Sequence, residues 1–269
     1  MAVDRARMKT FVLLLLLVVN LTFLGLIITD RLQAARLESE AKEELIQVLQ
    51  NLGVAISYEG IPPTEEQAIY LLPRDIEAER QVTARILEGP EERDEGGGIY
   101  HYFSHLGSAQ FRAGSFRFDF AGQGISAAEG MQEIGDRMLE RLELQGEISF
   151  QSGDEREGRL AYTLTVEGLT ALGGQVVFFF SEGYLREITG PSLWGQRQRY
   201  IAEEQLDVTT ALVRLAGRMY EGAISTRFVS VQMGYYFLEG SGYLEFRPVW
   251  IIETEDGTFS VDRQSGEIR

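Results

Sequence analysis

The chain of 269 residues contains no cysteine and only two histidines. Without a thiol there is no disulfide framework, no thioether-linked lipid anchor and no cysteine nucleophile, so the fold must rest on its hydrophobic core. Histidine chemistry would have to run through His101 and His105. On a strand these two share a face but stand about 13 Å apart, too far to share an ion at ~2.1 Å bonds. No serine has the context of a nucleophile, because the G-x-S-x-G elbow is missing. Gly122-Gln123-Gly124 looks like a fragment of a phosphate loop but lacks the Lys and Ser/Thr such a loop needs, and reads as a turn. Basic residues are also scarce. Lys and Arg number 25 against 41 Asp and Glu, for a formal charge of −16. Nucleic acid is a poor partner for such a surface, which favours solubility or docking on basic protein patches. An acid pair such as Asp119 with a distant glutamate could serve glycoside hydrolysis, but among 41 acidic residues such pairs arise by chance. The chain reads as a non-enzyme, with no catalytic residue, cofactor or metal ligand expected.

The sequence does have one long apolar row, Phe11 to Ile28, interrupted by Asn20, Thr22 and Gly25. Eighteen residues at ~1.5 Å each give about 27 Å of helix, close to the ~30 Å of a bilayer interior, and Thr10 and Thr29 extend it to the interfaces. A transmembrane helix is therefore expected over 10–29. Arg5, Arg7 and Lys9 make residues 1–9 a cytoplasmic tail by the positive-inside rule, which places the rest outside the cell membrane. A cleavable signal is the competing reading. The row exceeds the roughly 7 to 15 residues of a signal core, and Asp30-Arg31-Leu32-Gln33-Ala34-Ala35 offers no A-x-A site. Residues 1–29 balance to +2, three basic residues against Asp4, which leaves −18 on the remainder. Within the span, Thr22, Gly25 and Thr29 fall within an arc of about 60°, a small-residue stripe that lets another helix approach. Asn20 lies nearly opposite, with an amide that is costly to leave bare in lipid. These four form the candidate transmembrane partner interface.

Beyond the span the pattern changes period repeatedly. A juxtamembrane helix is expected over 30–53, thinly apolar in its middle and stopped by Gly53. Val54 to Ser57 and Ala68 to Leu72 read as short strands, and Arg74 to Leu87 as a helix ended by Gly89-Pro90. The charged, glycine-ended run Glu91 to Gly98 reads as a loop. Alternating aromatic strands follow to Phe120. Ser126 with Glu129 forms a capping box for a helix running to about Leu144. More strands lead to Thr189. A helix over Asp207 to Tyr220 then precedes strands joined by a tight turn at Asp256-Gly257. The fold class expected is α+β, with repeated helix-plus-antiparallel-sheet units after the membrane helix. A first unit spans 54–122, and a C-terminal region over 123–269 holds helix-meander units at 126–190 and 207–268. The aromatic runs Val176 to Phe180 and Tyr235-Tyr236-Phe237 read as sheet interior.

Three segments carry a family resemblance: Asp4-Arg5-Ala6-Arg7-Met8-Lys9-Thr10 running into a span that contains Asn20, the acidic helix ending near Gly53 before Pro62-Pro63, and the ending Pro248-Val249-Trp250-Ile251-Ile252-Glu253-Thr254 with Asp256-Gly257-Thr258-Phe259 and Ser265-Gly266-Glu267. In this layout the chain resembles the YycH/YycI family, its YycI-like members in particular, and its ending is similar to the strand-turn-strand of PepSY-type domains. The resemblance implies a non-catalytic, membrane-anchored regulator of an essential cell-wall two-component sensor histidine kinase. It implies contact with the kinase through the membrane helix and the extracytoplasmic body, and a complex with a YycH-like paralogue. Lipid would be met only through the N-terminal helix. The alternative is a PepSY-like extracytoplasmic binding or protease-inhibitory module, and an envelope hydrolase would require a cleft with converging acids.

Overall fold

A computed structural model describes residues 16, 20, 22, 24 and 39–269, apart from 58–59, 123, 155, 203, 223–226 and 241. Among the described residues no helix is long and apolar enough to cross a membrane. The expected span lies almost wholly outside them, as does the first part of the juxtamembrane helix. The described chain is mixed α+β, mostly sheet, with helices at 39–51 (α1), Ile76–Leu87 (α2), Met131–Arg141 (α3) and Val208–Glu221 (α4).

The helices form where caps and apolar stripes coincide. Asp75 caps α2 by accepting from the Ala78 amide at 3.0 Å, Glu77 and Glu79 sit in the first turn and Arg85 in the last, each favourable to the helix dipole. Asp207 does the same for α4, accepting from Thr210 at 2.7 Å. Helix α3 starts differently from the expectation. Ser126 lies on a two-residue strand, Ile125–Ser126 (β6), and the helix begins five residues later behind Gly130, with no side-chain cap. The capping box does not form because Ile125 is drawn onto the core and pairs with Leu185.

Two helix-plus-meander segments follow one another along the chain. The first is α2 with the meander Glu91–Gly96 (β2), Ile99–Ser104 (β3), Gly107–Arg112 (β4) and Ser115–Phe120 (β5). The second is α3 with Gly146–Gly153 (β7), Glu157–Val166 (β8), Leu169–Ser181 (β9) and Tyr184–Pro191 (β10). Their last strands pair antiparallel, Phe118 opposite Ile188 and Phe116 opposite Gly190. The eight strands thus run β2-β3-β4-β5-β10-β9-β8-β7, and each half enters from its own edge and ends at the middle. The order is two-fold symmetric in topology. Residues Glu91 to Gly96, expected as loop, are the edge strand β2, which escapes recognition because it buries nothing.

Helices α2 and α3 cover one face of this sheet. Their buried residues Val82, Ile86, Ile134 and Met138 meet Tyr102, Phe111, Phe118, Leu160, Phe178 and Ile188 in one cluster. Phe111 is its hub, edge-on to Tyr102 at 5.7 Å, to Trp194 at 5.9 Å and to Phe118 at 6.1 Å. The sequence allows α3 to lie close because Gly135 faces the sheet, where a Cβ would stand 2.6 Å from the Tyr162 hydroxyl and 2.7 Å from Leu160. Arg85 of α2 pairs with Glu143 beyond α3, and Arg141 donates to the Arg85 carbonyl, so the two helices are also tied at their ends.

The third unit is assembled from more distant pieces. Helix α4 packs on Phe228–Glu239 (β12), Tyr243–Thr254 (β13) and Gly257–Asp262 (β14), and β13 is flanked on the other side by Ile69–Pro73 (β1), itself paired with Gln198–Tyr200 (β11). The last hairpin turns at Glu255-Asp256, with Thr254 opposite Gly257, one residue earlier than expected. Pro248 is tolerated inside β13 because β1 stops at Phe246 and β14 starts at Val249, so its missing N–H faces the gap between partners. The long β9 joins the units by pairing in parallel with β12 at Ala171 and Leu172. Val54 to Ser57 forms no strand beyond a single bridge from Ala55 to Arg227.

A second core lies under α4. Trp250, Ile252, Val261, Leu212 and Leu215 are buried there together with Leu45 and Leu49 of α1. Arg263, 1% exposed, spans this region, donating to Gln67 Oε1 at 2.9 Å and the Glu65 carbonyl at 2.8 Å while stacking 4.8 Å from the Trp250 ring. Among the described residues only neutral acceptors serve it, and burial holds its guanidinium below the usual arginine range.

Candidate functional site

The eight-stranded sheet has two free edges, and both are guarded. Strand β2 presents Glu91-Glu92-Arg93-Asp94-Glu95, fully exposed, which no uncharged strand could extend without burying charge. Strand β7 is exposed along nearly its whole length and carries Ile148 and Phe150, but an extra residue between them breaks the register with β8 and turns the two side chains to opposite faces. Strand addition is thereby disfavoured at either side.

The face away from α2 and α3 is open. At its centre Arg117 binds Asp119 through Nε and Nη2, at 2.9 and 2.8 Å, and Glu187 through Nη2 at 2.7 Å. Asp119 stands directly opposite Glu187 across the β5–β10 pair. Burial pushes the Glu187 carboxyl above the usual range, and Arg117 pulls it back. Two acids do converge here, yet one guanidinium occupies both, on a broad sheet face. The arrangement is that of an ion-pair cluster, worth little to stability at this exposure.

A further concavity lies where the first unit meets the third. Three glycine-bearing turns converge: Gly97-Gly98 between β2 and β3, Ala113-Gly114 between β4 and β5, and the β12–β13 tip ending in Gly242. Between them is a cavity of about 280 Å³ with Leu72 and Leu244 at its floor. One wall is a buried polar knot. Arg74 donates in bidentate fashion to Glu79, 2.8 Å to each oxygen, and also to the carbonyls of Gly98 and Phe111. Glu79, 1% exposed, further accepts from Ser192 Oγ at 3.2 Å. The Arg74 amide donates to the Gly242 carbonyl at 3.1 Å, tying β1 to the hairpin tip. Arg112 borders this cavity and a shallower groove of about 400 Å³ on the open sheet face. Among the described residues its guanidinium has no hydrogen-bond or ion-pair partner.

Of the residues singled out in the sequence, Asn20 is helical and donates through Nδ2 to the Leu16 carbonyl at 2.8 Å, which satisfies one amide hydrogen within its own helix. Thr22 is helical and exposed, and Gly25 and Thr29 lie outside the described residues. His101 contacts Glu95 at 3.1 Å through Nδ1, and His105 sits in the turn before β4. Among the described residues no group of three potential metal ligands comes together. Gly124 turns the chain into β6, and Gln123 is outside the described residues. Val176, Phe178, Phe180 and Tyr235 are sheet interior, whereas Tyr236 lies half-buried under Arg269, 4.5 Å away. Sequence reasoning missed Arg74, Glu79 and Arg112. The five-residue gap between Arg74 and Glu79 signals nothing by itself, since one stands before the helix and the other within it.

No family model matches this chain, and no curated protein matches it. Among solved structures it is similar to an uncharacterized protein from Eubacterium rectale ATCC 33656, at 12% identity and a TM-score of 0.44, over 77% of this chain and 86% of that one. It is also similar to the C-terminal domain of Bacillus megaterium YpeB, at 10% identity and a TM-score of 0.39, over 74% of this chain and 98% of that domain. At these values neither likeness bears on function.

Proposed function

We propose that this chain is a non-catalytic regulator, anchored in the cell membrane by residues 10–29 with its body outside, that acts on a cell-wall two-component sensor histidine kinase in company with a YycH-like paralogue. The observation that carries the reading is the seating of α1. Leu45 and Leu49, 2% and 0% exposed, are built into the second core against α4, while the residues between them face solvent or lie half-buried. A tether that merely holds a body near a membrane needs no such burial. A helix bolted into the body sets the body's orientation relative to whatever precedes it, and that coupling is what a protein needs to favour one signalling state of a partner over another. The acidic exterior suits docking on a basic protein surface. The occupation of Asp119 and Glu187 by Arg117 supports a non-enzymatic role.

A second reading, a PepSY-like binding or inhibitory module, is supported by the two complete helix-plus-four-strand units and by the cavity at the seam. Co-purification from membranes separates them. The regulator retains the kinase only with residues 1–29 present and loses it on Gly25→Ile, whereas an inhibitory module keeps its target when the body alone is used. Kinase recovery by neither form contradicts the first reading.

A further inference from the structure

The cavity at the seam of the first and third units has an asymmetry in its polar groups. Three of its backbone acceptors are already served: the Gly98 carbonyl by the Arg74 guanidinium, Gly242 by the Arg74 amide and Gly114 by the Ser192 amide at 2.7 Å. Its inner donors are also engaged. Arg74 directs Nε and both terminal nitrogens to Glu79 and to carbonyls, and Ser192 Oγ donates to Glu79. Among the described residues, the lining cation left without a partner is Arg112, whose five N–H donors are unused. A ligand here is therefore asked chiefly for acceptors that the Arg112 guanidinium can reach. Charge adds to this, since Glu79 neutralises Arg74 and leaves a single uncompensated positive charge at the rim of a protein of net charge −16. One positive charge matches a monoanion better than a phosphate dianion.

The rest of the lining is apolar. Leu72 and Leu244 are 2% and 3% exposed yet border the cavity, and Ile99 and Tyr243 stand at its side. A volume of about 280 Å³ suits a small ligand. We propose that this cavity binds a short amphipathic monocarboxylate, with the carboxylate held by Arg112 and a branched aliphatic group over Leu72 and Leu244. Planar, bidentate pairing is the geometry in which arginine holds a carboxylate. The carboxylate can belong to a free acid or to the C-terminus of a chain ending in an aliphatic residue.

Calorimetry with the full chain in lipid nanodiscs tests this, using 4-methylpentanoate as the probe and neutral 4-methylpentanamide as its isostere. A second arm compares the tripeptide Ala-Ala-Leu with a free and an amidated C-terminus. Saturable one-to-one binding of 4-methylpentanoate or the free-acid peptide is expected, weakened about tenfold or more by amidation or by Arg112→Gln, as loss of a charge-assisted pair requires. The partner-free, exposed position of Arg112 lets the variant fold, which an unchanged unfolding midpoint verifies. Binding by the acid alone assigns a small molecule, and binding by the peptide assigns a chain terminus. Equal affinity of acid and amide, undiminished binding by Arg112→Gln, or no saturation by either carboxylate overturns the proposal.

Discussion

Replacing Glu79 by Gln isolates the energetics of the polar knot beneath α2. The carboxylate is 1% exposed and both its oxygens meet Arg74, whose side chain is 17% exposed. In Glu79→Gln the guanidinium stays in place with its charge unmatched, and one of its two strong acceptors becomes an NH₂ that repels it. Removing one partner of a buried pair costs about 3–5 kcal/mol, a large share of the 5–15 kcal/mol typical of a domain. Arg74 keeps the Gly98 and Phe111 carbonyls as acceptors, so the turns around the cavity stay tied and the cost is that of the unmatched charge. Urea unfolding followed by tryptophan fluorescence reads this directly, because Trp194 lies in the core under α2 and α3 and Trp250 in the core under α4. The midpoint is expected to fall with little change in slope, and the double variant Arg74→Met with Glu79→Leu to recover most of the loss, since an apolar pair leaves no charge behind. A cost below about 1 kcal/mol for Glu79→Gln would refute the reasoning, because it would mean that water already compensates Arg74.

Other consequences follow from the same geometry. Leu49→Ala removes a fully buried side chain and is expected to cost about 2–5 kcal/mol, with hydrogen exchange across 39–51 rising ahead of the rest of the chain. Gly135→Ala gains up to ~1 kcal/mol of helix propensity but drives a methyl against Tyr162 and Leu160, so a lowered melting temperature is expected, and a raised one contradicts the close packing of α3. Acid should destabilise the fold. Arg80, Arg85 and Arg269 hold Glu92, Glu143 and Glu267 below the usual carboxylate range, and the amides of Arg156 and Glu157 do the same for Asp154. A depressed folded-state value contributes stability above the unfolded value and loses it as protons bind. The melting temperature should therefore drop between about pH 5 and pH 3, and Glu143→Gln should flatten that drop.

Much of this architecture was legible because it rests on local signals. The helices α2 and α4 show in their apolar residues at helical spacing, and β4 and β5 alternate more and less buried residues. Where tertiary pairing overrides local preference, the reading failed. Strand β2 is charged because it is an edge, and charges on an edge look like a loop. Ser126 has a good cap signature, but Ile125 gains more by packing on the core. The third unit is drawn together from β1, β11 and residues 228–262, an assembly set by long-range register that no window of sequence contains. The seam cavity was invisible for the same reason: Leu72, Arg112 and Leu244 come from three distant segments. Asp119 was singled out as a possible acid partner, and its neighbour Glu187 became identifiable only through the antiparallel pairing of β5 with β10.

The central claim is that α1 transmits the placement of the body to a membrane partner. Autophosphorylation of the sensor kinase in nanodiscs, measured with the full chain and with a variant carrying a Gly-Gly-Ser-Gly insertion after Glu40, tests it most directly. The account predicts that the intact chain shifts the autophosphorylation rate and that the insertion, which leaves the body and its buried Leu45 and Leu49 untouched, abolishes the shift. An undiminished shift with the insertion, or none with the intact chain, would contradict it.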